Sequence, residues 1–332
     1  MKKYEFTGET KQINLLFRTA TLHRIRAVVE FGLVKIGDLG GWIEKEENLS
    51  HDGKAWVWDN AEVWDNAEVW GNAEVWGNAE VCGDAEVCGD AKVCGDAEVC
   101  GDAKVCGDAE VWDNAEVWDN AKVWGNAKVC GDAEVWGNAE VWGNAEVWGN
   151  AKVCGDAEVC GDAKVCGDAE VWGNAKVWDN AKVCGDAKVC GDAEVWDNAE
   201  VWGNAEVWGN AEVCGDAKVC GDAEVCGDAK VCGDAEVCGD AKVCGDAEVF
   251  SASHVLVIGA IGSRNDFTTF FRDKDGEITV KCGCFLGKID RFLEKVASTH
   301  GNSKYALVYR AAVEVAKLQI DLTGEAPEMD EE

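Results

Sequence analysis

From Val57 to Val249 a valine recurs at every sixth residue, thirty-three times with no insertion, deletion or change of phase. Around it runs one unit, Ala-(Glu/Lys)-Val-(Trp/Cys)-(Gly/Asp)-(Asn/Asp), as in Ala61-Glu62-Val63-Trp64-Asp65-Asn66. The order small, charged, aliphatic, large, then two turn formers predicts a very short strand and a bend. Alternation along that strand sends Ala61 and Val63 to one face and Glu62 and Trp64 to the other. A charged residue fills the Glu62 position in almost every unit, so the Ala/Val face is the expected core and Trp and Cys point outward. With so short a period each unit is buried only by its neighbours, which makes the segment a solenoid rather than a globule. A helix is excluded, because Gly and Asn every six residues oppose helical propensity and leave no 3.6-residue stripe.

The corner pair is Gly-Asn, Asp-Asn or Gly-Asp, as at Gly71-Asn72, Asp59-Asn60 and Gly83-Asp84, and never Asp-Asp. Each corner thus keeps a Gly or an Asn, the residues expected to take the positive φ of a sharp turn.

These units resemble the hexapeptide-repeat, left-handed parallel β-helix family, whose pattern sets a small residue four positions after an aliphatic one, as in Val57 and Ala61. The resemblance implies a mainly β fold: a triangular solenoid of about eleven coils, three hexads to a coil, with residues i and i+18 stacked. At ~4.8 Å per coil the rod would be roughly 50 Å long, filled by columns of Val and Ala. The ends of the chain, Met1 to Thr10, Gly37 to Glu44 with Asn48-Leu49-Ser50, and Ile258 to Asp266, resemble uncharacterised phage and prophage proteins that flank such arrays. Their outer faces usually carry Arg, Ser and Tyr, where this chain carries Lys, Cys and Trp.

The flanks break the period. Residues 1–56 alternate apolar and polar residues at Thr21 to Val28 and should form a small β cap, since a solenoid needs its terminal core covered. Residues 251–322 read as an α+β module. It should hold strands at His254 to Ile258 and Thr268 to Phe271, a hairpin turn at Asp273-Lys274-Asp275-Gly276 before Ile278 to Val280, and two helices. The helices should run from about Lys288 to Ser298 and from Ser303, as N-cap, to about Ile320. Residues 323–332 form an acidic tail that is expected to be disordered.

Charge changes the picture most. The net charge is −33, and residues 57–250 hold 23 Asp and 20 Glu against 12 Lys. Along a 50 Å rod that is about one negative charge per 1.7 Å, close to duplex DNA. Direct nucleic-acid binding is therefore not expected. A DNA-mimic inhibitor of a host DNA-binding protein is one reading, and acidic faces that keep an open-ended solenoid soluble are the other. No apolar run is long enough for a secretory signal or a membrane span, so a cytoplasmic setting is expected, the host cytosol if the chain is phage-encoded. Seventeen of the nineteen cysteines belong to the repeat, and free thiols are the expectation in a reducing compartment. If i and i+18 stack, Cys166 and Cys184, Cys220 and Cys238, and Cys226 and Cys244 come within disulfide range or within reach of a soft metal.

Candidate chemistry is sparse. Outward Trp runs, among them Trp136, Trp142 and Trp148, either mark a contact surface for a partner or shelter one another along the rod face. In the C-terminal module Ser263, Arg264 and Asn265 in a Gly-led loop, with Arg272, could hold a phosphate or carboxylate, against the alternative of a purely structural loop. Cys282-Gly283-Cys284 lacks a second pair and reads as a strand end rather than a metal site. Hexapeptide-fold acyltransferases and carbonic anhydrases use histidines on or between their coils. Here His23, His51, His254 and His300 all lie outside the repeat, so no enzyme, metal or cofactor is expected. The sequence reads as a non-catalytic, acidic scaffold that recognises a protein partner through outward Trp and charged rows and the C-terminal module, which could also make a homo-oligomer.

Overall fold

In a computed structural model, which describes residues 2–15 and 17–323, the chain forms two compact units, Met1–Asp168 and Ala169–Glu332. The expected acidic tail lies outside the described residues, apart from Thr323. Both units are built as parallel β-solenoid, about twelve turns in all.

In the first unit each hexad contributes one short rung, and rungs eighteen residues apart pair in parallel. Glu98–Val99, for instance, lies between Glu80–Val81 and Glu116–Val117. Consecutive rungs belong to three different sheets, so the solenoid has three sides. Every repeat Ala and Val from Ala61 to Val165 has no exposed surface, and the charged and Trp/Cys positions lie on the other face, where Trp64 and Cys88 are nonetheless covered by their neighbours. The expected alternation therefore holds throughout the unit.

The solenoid begins earlier than residue 57. Strand β1 (Tyr4–Asn14) pairs antiparallel with β2 (Thr19–Ala27), and β2 with β3 (Leu39–Ile43). Strand β3 then joins the solenoid in parallel, with Ile43 beside Val63, and Leu49 bridges Val69. Ile43 and Leu49, both fully buried, occupy valine positions of a turn ahead of the periodic array. The six-residue pattern hides this turn because His51 and Asp52 add two residues to its corner, so its partners lie twenty residues away instead of eighteen. Trp56 stands where the repeat has Glu or Lys, and it is fully buried because Tyr4 and Phe31 pack edge-on against it.

The corners follow a rule different from the expected one. Positive φ falls on the first corner residue, which is Gly at most corners and Asp at Asp59, Asp65, Asp113 and Asp119, with φ from 51° to 61°. Asn takes the second place, and its Nδ2 donates to the corner one turn on, as from Asn72 to Asp90 (2.8 Å) and from Asn138 to Asp156 (2.8 Å). Asp is tolerated in the left-handed region because its short polar side chain can bond locally. Its Asn neighbour supplies the donor that a stack of carboxylates lacks.

A corner substitution tests this rule. A Cβ at Gly143, where φ is 76°, would stand 2.9 Å from Gly161 N. Gly143→Val is expected to cost about 3 kcal/mol in thermal unfolding, because a β-branched residue is strained there and clashes with the next turn. Gly143→Asp brings the same Cβ but reproduces the Asp-Asn corner that Asp113 and Asp119 hold at φ 61° and 60°, so it should cost about 1–2 kcal/mol, less than the β-branched residue. Equal losses would refute the rule.

In the second unit the rungs continue to Glu248–Ser251. The chain then forms the antiparallel strands β4 (Val255–Ile261), β5 (Asp266–Arg272), β6 (Ile278–Cys282) and β7 (Phe285–Lys288). Helices α1 (Ile289–His300) and α2 (Lys304–Gln319) follow. Phe270, Ile278, Val280, Phe292, Val296, Tyr309, Val313 and Ala316 form a separate core between sheet and helices. Ser303 stands at the N-cap of α2 but makes no side-chain capping bond. The module sits on the last solenoid turn: Lys242 N donates to Thr269 Oγ1 (2.9 Å), Lys274 N donates to Asp246 O (3.0 Å), and Ala247 bridges Asp273. Val243 and Val249 beneath it are fully buried, so the terminal core is covered.

Candidate binding surface

Residues three hexads apart share a side of the solenoid, and consecutive hexads do not. Trp136, Trp142 and Trp148 follow one another in sequence, yet their rungs belong to three different sheets. They form no single patch. Each instead meets a neighbour on its own side. Trp136 stacks on Trp118 at 5.5 Å between ring centres and 18° between planes, Trp142 stacks on Trp124 at 5.5 Å, and Lys164 Nζ lies 5.8 Å from the centre of the Trp148 ring. Trp136, Trp142 and Trp148 are half-buried, whereas Trp118 and Trp124 are exposed. In the second unit Trp178 stacks on Trp196, and Trp172, Trp202 and Trp208 are exposed.

The same regrouping sorts the charges. On one side of the first unit Glu and Lys alternate through Glu74, Lys92, Glu110, Lys128 and Glu146, and neighbours pair, as Lys92 does with Glu110 (3.2 Å). On another, Lys104 pairs with Glu86 (3.0 Å) and Lys122 with Glu140 (2.7 Å). The third side stacks Glu62, Glu80, Glu98, Glu116 and Glu134 in register. Lys11 pairs with Glu62 at one end and Lys152 with Glu134 at the other. Glu80, Glu98 and Glu116 between them have no ion-pair partner among the described residues. Partial burial pushes the Glu80 carboxyl up, and Glu62 and Glu98 push it further; burial with Glu98 and Glu134 does the same to Glu116. The stacked indoles of Trp118 and Trp136 stand on this side, each two residues after a member of the glutamate row. Sequence reading missed the row because it summed charge instead of reading every third hexad.

Stacking also brings the thiols together. Cys88–Cys106 in the first unit and Cys214–Cys232, Cys220–Cys238 and Cys226–Cys244 in the second are disulfides, with Cα atoms 4.5 to 4.6 Å apart. For these eight cysteines the expectation of free thiols is corrected: the rung spacing alone places the pairs within bonding reach.

The predicted anion site does not assemble. Ser263, Arg264 and Asn265 form the turn between β4 and β5, with Asn265 at φ 53°. Arg272 lies at the far end of β5, roughly 20 Å away at the rise of a strand. It is buried against the solenoid, with Nη1 3.4 Å from Glu248 and its guanidinium over the Phe250 ring. Arg264 instead lies beside Gly283, where a Cβ would stand 2.8 Å from Nη1. Cys282 ends β6, with its Sγ 3.3 Å from Thr268 Oγ1 and 3.8 Å from Tyr309 OH, and Cys284 is exposed.

The residue that sequence reading passed over is Asp273. It lies in the expected hairpin turn, and its carboxylate is fully buried and accepts from Asp275 N, Glu277 N, Thr279 Oγ1 and Lys288 Nζ. Burial alone would raise its pKa; the bonds from Lys288, Thr279 and Glu277 outweigh that and hold it below the ordinary aspartate value. No family model and no curated protein matches this chain. Among the described residues no helix is long and apolar enough to cross a membrane.

Proposed function

We propose that this chain is a non-catalytic acidic scaffold that binds a basic, extended segment of a protein partner along the glutamate side of its first unit. The observation that carries this reading is the unpaired stack of Glu80, Glu98 and Glu116 beside the Trp118–Trp136 indole pair. Carboxylates at one-turn spacing attract lysine and arginine, and an exposed indole face adds a cation–π contact. The other two sides, where Lys–Glu pairs neutralise much of the charge, offer less. A non-catalytic role is supported by the surroundings of the histidines: His254 Nδ1 accepts from Phe250 N, His51 Nδ1 accepts from Lys3 N, and His23 stacks on Phe6. The family-level reading, a left-handed hexapeptide solenoid of phage type, is part of the same proposal and rests on the hexad and the terminal segments. The cytosolic setting draws no support from the disulfides, which persist mainly in oxidising compartments.

The test is fluorescence anisotropy with a labelled lysine-rich peptide. Glu98→Gln/Glu116→Gln and Trp118→Ser/Trp136→Ser should each weaken binding at least about tenfold, with the β circular dichroism signal unchanged. Trp142→Ser/Trp148→Ser should not. Equal effects of the two tryptophan pairs would refute the assignment to one side. Displacement of a DNA-binding protein from duplex DNA, with no peptide binding, would favour the DNA-mimic reading instead.

A further inference from the structure

Helix α2 has two apolar faces. Ala306, Tyr309, Ala312, Val313 and Ala316 pack into the module core. On the opposite face Leu307, Val315, Leu318 and, just past the helix, Leu322 are 59%, 49%, 90% and 39% exposed, and Ala311 between them is exposed as well. Spacings of four, four and three residues from Leu307 through Ala311 and Val315 to Leu318 make a continuous stripe along the helix. Isolated exposed leucines are ordinary; a stripe rimmed by charge on a helix whose other face is already satisfied is a contact surface.

We propose that this stripe is the interface of a homodimer, formed by α2 packing antiparallel against α2 of a second copy of this chain. Two features of the helix select a second copy as occupant. First, the stripe is complementary to its own reverse. In an antiparallel pair Leu307 meets Leu318 of the second copy and Ala311 meets Val315, a small residue against a branched one, and the two-fold axis repeats both contacts. Second, the charged rim matches in that register and in no parallel one. Arg310 and Glu314 flank the stripe on the same edge, and like edges face one another across an antiparallel pair. Arg310 of each copy therefore stands opposite Glu314 of the other. Glu314 is 70% exposed and, among the described residues, pairs with Lys317 one turn on (3.1 Å), which leaves room for a second cation.

Charge also says where on the molecule two copies can meet. Residues 251–332 hold ten Lys and Arg against thirteen Asp and Glu, and residues 1–56 hold nine against eight, whereas residues 57–250 carry a net −31. Solenoid faces of two copies repel, and the nearly neutral segments that flank the repeat, the C-terminal module among them, repel far less. A single pair of sixteen-residue helices buries roughly 1,000 Å², the low end for a specific interface, so the dimer is weak and concentration-dependent. This inference does not rest on the peptide-binding reading, which concerns the first unit.

The test is sedimentation velocity of the full chain from about 1 to 300 μM at 0.15 M salt, a range that brackets the micromolar affinity of such an interface. A monomer–dimer shift is expected across it. Leu318→Glu, a substitution at an almost fully exposed position, should leave the circular dichroism spectrum intact and abolish the shift. Arg310→Glu should weaken association at least about tenfold, and Arg310→Glu combined with Glu314→Arg should restore it. A monomer at every concentration, a dimer indifferent to Leu318→Glu, a charge swap that fails to rescue, or growth into open-ended polymers would each overturn the proposal.

Discussion

Reduction of the second unit with a strong thiol reductant is expected to release its last solenoid turns and the module they carry. Cys214–Cys232, Cys220–Cys238 and Cys226–Cys244 lie in consecutive hexads, so each of the three sides is bridged between the same two turns. A bridge closing an eighteen-residue loop stabilises by about 3 kcal/mol, and the three interleaved bridges together by about 6 kcal/mol, chiefly by restricting the unfolded chain. In a solenoid each turn is held only by its neighbours, so that loss is felt locally. Hydrogen exchange should show protection falling by orders of magnitude between residues 214 and 250 after reduction. The turns of the first unit around Trp118 and Trp136, which carry stacked indoles and no bridge, should keep theirs. Protection unchanged in both regions would show that rung hydrogen bonds and the Ala/Val core suffice without the bridges.

Asp273→Ala is expected to destabilise the C-terminal module by about 3 kcal/mol, chiefly because buried donors lose their acceptor, since Lys288 is partly exposed and keeps Asp275 and Glu277. The loss arises because four donors converge on one fully buried carboxylate, and Lys288 Nζ would be left among Asp275 and Glu277 without its central partner. Asp273→Asn keeps one acceptor oxygen and should cost less. The pH dependence has a definite sign. The folded carboxyl titrates below its unfolded value, so its stabilisation is complete above the ordinary aspartate pKa near 3.9 and is lost as pH falls through the lower folded value. The wild-type module should therefore loosen in acid before the solenoid core does, and the Asn variant should lack that transition. Near-ultraviolet circular dichroism or the exchange of Phe270 and Phe271 amides reads it. Identical acid profiles for wild type and Asp273→Asn would show that another carboxylate governs the transition.

Much of this was open to reading along the chain. The alternation that buries Ala61 and Val63 and turns Glu62 to the other face is local, and it holds at every turn. The hairpin at Asp273 to Gly276 and the span of α2 followed from turn chemistry and helical periodicity. Strand β7 was not anticipated, because Phe285–Lys288 is too short for alternation to show and runs directly into α1. The corner rule was half legible: composition shows that each corner holds Gly or Asn, but the left-handed position belongs to Gly or Asp, and the Asn serves as an amide donor to the next turn. Trp136, Trp142 and Trp148 were grouped by nearness in sequence, whereas the three-sided turn sends them apart and joins Trp136 to Trp118.

The unit, its core face and its bend can be read along the chain, because alternation, propensity and turn preference act within six residues. Which outward residues share a side depends on three sheets closing one turn, and no single hexad encodes that closure. Closure is what stacks Glu80 on Glu98, Cys220 on Cys238 and Trp118 on Trp136. In the first unit it makes one side with three consecutive unpaired glutamates and two on which Lys and Glu pair, and in the second a stapled end on which the C-terminal module is built.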